Sequence, residues 1–433
     1  MDWREDYKKK VCFPEEAVKM IKSDSRIVIC HAAGEPQTLV DAMVHNYKEY
    51  KNVEIVHMVA LGKCEYMKPE MAGHFKHNGL FLGGGTRDVV NAGNGDYTPS
   101  FFFEIPKLFK KGGSLPVDVA LIQVSTPDEH GYCSMGITCD YTKAAAENAK
   151  CVIAQVNKFM PRVLGDNFIH ISEIDVIVER DEPIIVLNPP KIGDIERKIG
   201  EYCASLINDG DTLQLGIGAI PDAVLTFLKN KRDLGIHSEM ISDGVVELVE
   251  AGVINNSKKT LHKGKSIVSF LMGTRKLYDY VDDNPSVEIY PVDYVNDPRV
   301  ISKNDNIVSI NSAIQVDLMG QVNAETIGTK QFSGTGGQVD FVRGTAFALN
   351  GKSIIAVPST ASKGKVSRIT AYLDEGAAVT TSRNDVQYII TEYGIADLKG
   401  KTLRERAKEL IKIAHPDFRE ELTQKAIEKF KTF

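Results

Sequence analysis

The sequence predicts an α/β fold made of two similar open halves. Two observations carry this. β-Branched, strand-like segments alternate with helical ones along the whole chain, which is the pattern of parallel α/β sheets. A unit of strand, glycine loop, proline and amphipathic helix occurs at 25–43 and again at 211–228.

In chain order, Arg26-Ile27-Val28-Ile29-Cys30 reads as a strand and His31-Ala32-Ala33-Gly34-Glu35-Pro36 as its loop. Leu39, Val40 and Met43 follow Pro36 by three, four and seven positions, one face of a helix. Val53-Glu54-Ile55-Val56-His57 is a second strand, Gly83-Gly84-Gly85 a glycine turn, and 117–124 a buried strand. The second unit repeats the spacing: Thr212-Leu213-Gln214-Leu215, a glycine loop, Pro221, then Val224, Leu225 and Leu228. Asp128-Glu129-His130-Gly131 matches Asp317-Leu318-Met319-Gly320, and Lys150-Cys151-Val152-Ile153-Ala154 matches Lys352-Ser353-Ile354-Ile355-Ala356. Three matches in one order indicate two halves descended from one unit. The boundary falls near Asn188-Pro189-Pro190, dividing 1–190 from 191–433, because the prolines end the expected strand 184–187. A helix over 194–207 opens the second half, and the charged tail 402–433 reads as a solvated helical pair.

Composition narrows the function. Hydrophobic residues at 43% and charged residues at 25% are ordinary for a globular enzyme. A net charge of −6 without a dense Lys/Arg stripe argues against nucleic acid as a partner. No run reaches the roughly 18 apolar residues of a membrane span, and Met1-Asp2-Trp3-Arg4-Glu5-Asp6 is too charged to open a signal peptide. Seven cysteines without a Cys-x-x-Cys pair point to buried thiols in a reducing cytoplasm. No histidine pair has metal-ligand spacing, so no metal is expected.

The chemistry centres on Gly235-Ile236-His237-Ser238-Glu239-Met240-Ile241-Ser242-Asp243-Gly244. A short strand should run into a capped helix that Gly252 ends as its C′ residue. Glu239 then stands near the carboxyl end of a strand, where open α/β sheets bind their ligands. A lone glutamate there is ordinarily solvated or satisfied by a helix dipole. Two glycine loops favour a second reading, a nucleophile flanked by amide donors. A free glutamate side chain titrates near ~4.3, so at neutral pH it needs no base to attack. No Gly-x-Ser-x-Gly elbow competes with it. Gly216-Ile217-Gly218-Ala219-Ile220-Pro221 is not a dinucleotide fingerprint, since Pro221 replaces the third glycine, but proline in a first helical turn leaves amides that can hold an oxyanion or phosphate. In Ser333-Gly334-Thr335-Gly336-Gly337-Gln338 three glycines in four positions are costly to order, and tight packing is the alternative to a ligand role. Lys363-Gly364-Lys365 can neutralise a phosphate or simply face water. His31, in the loop that mirrors Gly216, and Gln214, which ends the equivalent strand, are candidates to orient a substrate carboxylate.

Ser238-Glu239-Met240-x-Ser242-Asp243-Gly244, the Gly216 loop and Ser333-Gly334-Thr335-Gly336-Gly337-Gln338-Val339-Asp340-Phe341 together resemble the acetyl-CoA hydrolase/transferase family, on its 4-hydroxybutyrate and butyryl-CoA:acetate CoA-transferase branch. The resemblance spans essentially the whole chain. It implies halves of CoA-transferase type with the active site in the cleft between them, and a covalent glutamyl-CoA thioester on Glu239. It implies that Gly216, Ile217, Gly218, Ala219 and Ile220 contact CoA and help form an oxyanion hole. From the second loop it implies CoA contacts at Gly334, Gly336 and Gly337, and it extends them to Ile314 and to Lys363, Gly364 and Lys365. The related branch often carries Asn at Ala219, so a role there falls to the backbone. The expected activity is CoA transfer between acyl-CoA and short-chain carboxylates, without metal or ATP, in a homodimer. Two readings stay open beside it: a short acyl-CoA hydrolase using the same residues, and a non-catalytic effector-binding protein of the same fold.

Overall fold

The computed structural model describes residues 2–431. They form two compact units. The first runs to Asn188 and takes back Ile267–Val295; the second holds Pro189–Ser266 and everything from Asn296 onward.

The first unit is built on a parallel sheet of β1 (Arg26–Ile29), β2 (Val53–Met58), β3 (Phe75–Phe81), β4 (Gly95–Tyr97), β5 (Val119–Val124), β6 (Cys151–Val156) and β7 (Val176–Glu179), in the order β7-β6-β5-β1-β2-β3-β4. β5 is buried at every position. Because side chains alternate across a strand, Val119 and Leu121 enter one core with Leu39, Val40 and Met43 of helix α1 (Gln37–His45), while Ala120, Ile122 and Val124 enter another. A strand apolar on both faces needs cover on both, and this is why parallel sheets sit at the centre of their units.

The second unit has β8 (Thr212–Leu215), β9 (Gly235–Ile236), β10 (Ile307–Ser312), β11 (Lys352–Ala356), β12 (Tyr388–Thr391) and β13 (Gly394–Asp397), ordered β9-β8-β10-β11-β12-β13 with only β13 antiparallel. Its longer helices are α2 (Asp194–Ser205), α3 (Ala219–Phe227), α4 (Asp243–Glu250), α5 (Gln338–Phe347), α6 (Leu403–Ile413) and α7 (Pro416–Phe430).

The repeat read from sequence is a repeat of topology. Strand order β2-β1-β5-β6-β7 recurs as β9-β8-β10-β11-β12. The matched Asp-x-x-Gly stretches follow equivalent strands and fold alike. Asp128 Oδ1 accepts from the amides of His130 (2.9 Å) and Tyr132 (3.0 Å), and Asp317 Oδ1 from those of Met319 and Gln321 (both 2.9 Å). Both turns close on a glycine in the left-handed region, Gly131 at φ 87° and Gly320 at φ 88°.

Three expectations are corrected. Residues 184–187 form no strand; the parallel sheet ends at β7, and the segment is held singly by Tyr278 Oη donating to Ile185 O (2.8 Å) and Leu187 N to Gly273 O (2.9 Å). The stretch Ile267–Val295, inside the expected second domain, belongs to the first unit, where Val287–Ile289 pairs with Leu164–Gly165. The tail is not merely solvated: Ala407, Leu410, Ile411 and Ile413 of α6 and Leu422 and Ala426 of α7 complete an apolar core with Val342, Ile355 and Ile389. All seven cysteines are free thiols, five of them buried, and burial pushes Cys64, Cys133 and Cys203 up to about 12. Among the described residues no helix is long and apolar enough to cross a membrane.

Candidate active site

Glu239 lies three residues past β9, as the strand–helix pattern requires. Its neighbour Ser238 fixes it in place. Ser238, 1% exposed, donates from Oγ to Leu215 O (3.1 Å) and accepts from Leu215 N (3.3 Å), the last residue of β8 before Gly216. One serine thus ties the Glu239 segment to the root of the first glycine loop. Downstream, Ser242 stands at the N-cap position of α4 without making the expected side-chain cap; its hydroxyl donates instead to Asp222 Oδ1 on α3 (3.3 Å), and Gly252 at φ 75° ends the helix as expected.

The first glycine loop is open. Nothing lies within 4 Å of where a Cβ would sit at Gly216 or Gly218, and Gly218, at φ 118°, adopts a conformation other residues avoid. α3 begins at Ala219, and the leading amides of a helix have no acceptor within it.

The second loop reaches Glu239 directly. A Cβ at Gly337 would fall inside the envelopes of Glu239 Oε2 and Asn296 Nδ2, so any side chain here has to displace them. Gly337 is also the N-cap of α5, and the Glu239 carboxylate therefore meets the positive end of a ten-residue helix. Side chains on either side of the glycines order this loop. Ser333 Oγ donates to Ala324 O (2.9 Å), Thr335 Oγ1 to Glu325 Oε2 (2.9 Å), and Gln338 Nε2 to Ser312 O (2.6 Å). Burial raises the Glu325 carboxyl, against the pull of the Thr335 bond.

Asn296 is the residue that sequence reasoning missed. It is fully buried and donates from Nδ2 to Glu239 Oε2 at 2.9 Å. It sits between the short helices Val292–Val295 and Pro298–Ile301, in a stretch with no motif. The only signal was Asp297-Pro298, a helix start, which Asp297 makes by accepting from Arg299 N (2.8 Å).

The remaining candidates sit elsewhere. Gln214 is buried and its amide is engaged by Asn311, accepting from Asn311 Nδ2 at 3.0 Å. Ile314 is half-buried beside Arg368, whose Nη1 donates to Ala313 O (3.1 Å). Lys363-Gly364-Lys365 is the exposed tip of a hairpin joining Thr360–Ala361 to Val366–Ser367, and among the described residues neither lysine makes an ion pair. Gly334 is buried, and Gly336 turns the loop at φ 54°.

His31 belongs to the first unit. It is fully buried, with Nδ1 on Asp140 Oδ2 (3.2 Å) and its ring 4.4 Å from that of Phe270, which leaves Nε2 without a partner. Its loop is set by Gln123 Nε2, which donates to Gly34 O (3.2 Å) and Glu35 O (3.0 Å) while Asn157 Nδ2 donates to Gln123 Oε1 (2.7 Å). In the same loop the Glu35 carboxyl is 2% exposed and accepts from Gly62 N (3.0 Å). Burial pushes Glu35 from its ordinary 4.5 up to about 7; the Gly62 amide lowers it, and Asp41 adds to the rise. Burial also holds the nearby His57 ring well below its ordinary value, with His77 and His31 adding to the fall.

A carboxyl group with a raised folded pKa contributes its stability below the unfolded value and loses it as pH rises through the folded one. The shift from 4.5 to about 7, at about 1.4 kcal/mol per unit, is worth at most about 3–4 kcal/mol. Glu35→Gln is neutral at every pH and keeps an oxygen for Gly62. Its thermal midpoint is expected to gain on that of the wild type between pH 5 and pH 8. Parallel midpoints across that window would contradict the burial argument.

Residues 1–189 match the acetyl-CoA hydrolase/transferase N-terminal domain and residues 273–426 the C-terminal domain. Glu239 falls between the two matched spans. The chain is 66% identical over 430 residues to a 4-hydroxybutyrate coenzyme A transferase of Clostridium kluyveri, covering 99% of this chain and 100% of that one. It is 38% identical over 440 residues to a butyryl-CoA:acetate CoA-transferase of Anaerostipes caccae, covering 98% of each. Among solved structures, a 4-hydroxybutyrate CoA-transferase from Porphyromonas gingivalis superimposes with a TM-score of 0.86 at 46% identity, over 99% of this chain and 100% of that one.

Proposed function

The chain belongs to the acetyl-CoA hydrolase/transferase family and is a CoA-transferase, and we propose that it moves CoA between short-chain acids through a thioester on Glu239. The acids are 4-hydroxybutyrate or butyrate, exchanged with acetate. The carrying observation is the Glu239 carboxylate at the amino end of α5, one oxygen on Asn296 at 2.9 Å and a glycine against it where a Cβ would displace it.

Glu239 attacks the acyl-CoA carbonyl through a carboxylate oxygen, and the carbon–sulfur bond breaks to give an acyl-glutamyl anhydride and CoA thiolate. The thiolate then attacks the glutamyl carbonyl, releasing the first carboxylate and leaving the glutamyl-CoA thioester. An incoming carboxylate reverses both steps and departs as the new acyl-CoA. One thioester is broken for each one made, so the reaction needs no ATP and no net proton transfer.

Each attack places negative charge on a carbonyl oxygen. Amides of the Gly216, Ile217, Gly218, Ala219 and Ile220 loop and of the α5 start at Gly337 are the donors we assign to it, each worth about 3 kcal/mol if aimed at the oxyanion. Gly334, Gly336 and Ile314 are assigned to the CoA chain. The two exposed lysines at 363 and 365 are assigned to its phosphates. Binding that long tail can be used to place the thioester over Glu239. Gln214 and His31 act on the substrate carboxylate only indirectly in this scheme, given their burial. The resemblance of the chain to its family also supports a cytoplasmic homodimer as the working form, which sedimentation would check.

Incubation of butyryl-CoA with and without acetate tests the proposal. Acetyl-CoA and butyrate should form only with acetate, with no net release of free thiol. Thiol release independent of acetate would identify a hydrolase. Absence of both turnover and a trapped thioester would leave an effector-binding protein.

A further inference from the structure

The reaction written above leaves one buried carboxyl group of the cluster unused. Asp340, 1% exposed, occupies the third position of α5. Its Oδ2 accepts from Asn296 Nδ2 at 3.3 Å, and the same nitrogen donates to Glu239 Oε2 at 2.9 Å. One amide nitrogen, with its two hydrogens, bridges two acidic side chains 101 positions apart in the chain.

We propose that Asp340 is a positioning residue for CoA transfer: acting through Asn296, it holds the amide with its nitrogen toward Glu239 and so fixes the nucleophile in its attacking orientation. This rests on the reading of Glu239 as the nucleophile.

The argument turns on which way the amide faces. An asparagine side chain can present either its donor nitrogen or its acceptor oxygen after a half-turn. Asn296 Oδ1 is buried and has no hydrogen-bond partner, so nothing on the oxygen side selects the observed orientation. The selection comes from the two carboxyl groups at Nδ2. Opposite Glu239 alone, a half-turn loses one bond. Opposite Glu239 and Asp340 it loses both and aims the oxygen dipole at two acids. The amino end of α5 offsets the cost of holding two acids close together.

The other titratable groups on the segments involved are His237 and Asp243 around Glu239, Asp297 and Arg299 around Asn296, Arg343 on α5, and Lys352 on β11, which packs against α5. The His237 ring lies 6.3 Å from that of Phe341 at an interplanar angle of 59°, Arg299 pairs with Asp297, and Arg343 pairs with Asp385 at 3.5 Å. None is altered by the substitutions below.

The test is steady-state transfer between butyryl-CoA and acetate by the full-length enzyme and Asp340→Asn. The isosteric amide removes the charge and can turn a donor toward Asn296, so the preference of the Asn296 amide for its observed face falls to its single bond with Glu239. We expect kcat to fall about 10-fold or more with KM for acyl-CoA changed less than about 2-fold. Because Asp340 works through Asn296, adding Asp340→Asn to Asn296→Ala should cost less than about 2-fold further. Unchanged kcat per trapped thioester, or fully additive losses, would overturn the proposal. If Asp340→Asn does not fold, Asp340→Glu in the same cycle with Asn296→Ala decides it, with non-additive losses expected and additive ones contradicting. Should Glu239→Ala remain active, the nucleophile reading fails first, and that outcome is separate from any result at Asp340.

Discussion

Glu239→Ala is expected to abolish CoA transfer, with a loss of about 10⁴-fold or more in kcat and little change in thermal midpoint. The scale is that of removing a covalent nucleophile from a set of groups that work as a unit. It corresponds to about 5–6 kcal/mol of transition-state stabilisation. Stability should hold because Glu239 is only partly buried and Ser238, which makes the bonds to Leu215, is untouched. Glu239→Gln separates charge from shape. The amide keeps the volume and can still face Asn296, but it has no anionic oxygen to attack with, so its rate should be as low as that of the alanine variant. A Glu239→Gln protein with more than about a tenth of wild-type activity would point to water or another residue as the attacking group.

Gly337→Ala is the second large effect. At φ −92° the backbone accepts alanine without strain, so the cost is wholly the collision of the new methyl group with Glu239 Oε2 and Asn296 Nδ2. The carboxylate has to move by a large part of the methyl's width or lose its bond to Asn296. A misplacement of about 1 Å in a reacting group costs about 100-fold in rate. We expect kcat to fall by about that factor while acyl-CoA binding, measured by equilibrium methods, changes far less. Gly336 gives the contrast. It sits at φ 54°, so Gly336→Ala should cost about 1 kcal/mol of stability through backbone strain. If both alanine variants behaved alike, the contact between Gly337 and Glu239 would carry no special role.

What was legible in the sequence follows from the range of the forces involved. The repeat could be read because its signals are local: a strand, a glycine turn, a proline and a three-four-seven spacing are decided within about 20 residues. The Asp-x-x-Gly turns are shorter still, each closed by one carboxylate on amides two and four residues on. Glu239 and the two glycine loops stood out for the same reason, since glycine clusters and strand–helix junctions are local events. Asn296 did not. Its contact with Glu239 spans 57 positions, and nothing in Val295-Asn296-Asp297-Pro298 distinguishes a nucleophile's partner from a loop residue. Residues 184–187 show the converse error. An apolar β-branched run looks the same whether its amides join a ladder or are met one at a time, and here Leu187 N reaches Gly273 O instead. The return of Ile267–Val295 to the first unit is likewise set by pairing between Val287–Ile289 and Leu164–Gly165, more than 120 residues apart, which no window along the chain contains.

The central claim is a covalent bond between Glu239 and the sulfur of CoA. The direct measurement is peptide mass analysis after exposure to butyryl-CoA without acceptor and reduction with borohydride. The peptide holding Glu239 should carry the side-chain alcohol that a reduced thioester leaves, and acetate added before the borohydride should erase it. An actively transferring enzyme in which that peptide stays unmodified, or in which the reduced group maps to another residue, would contradict the account.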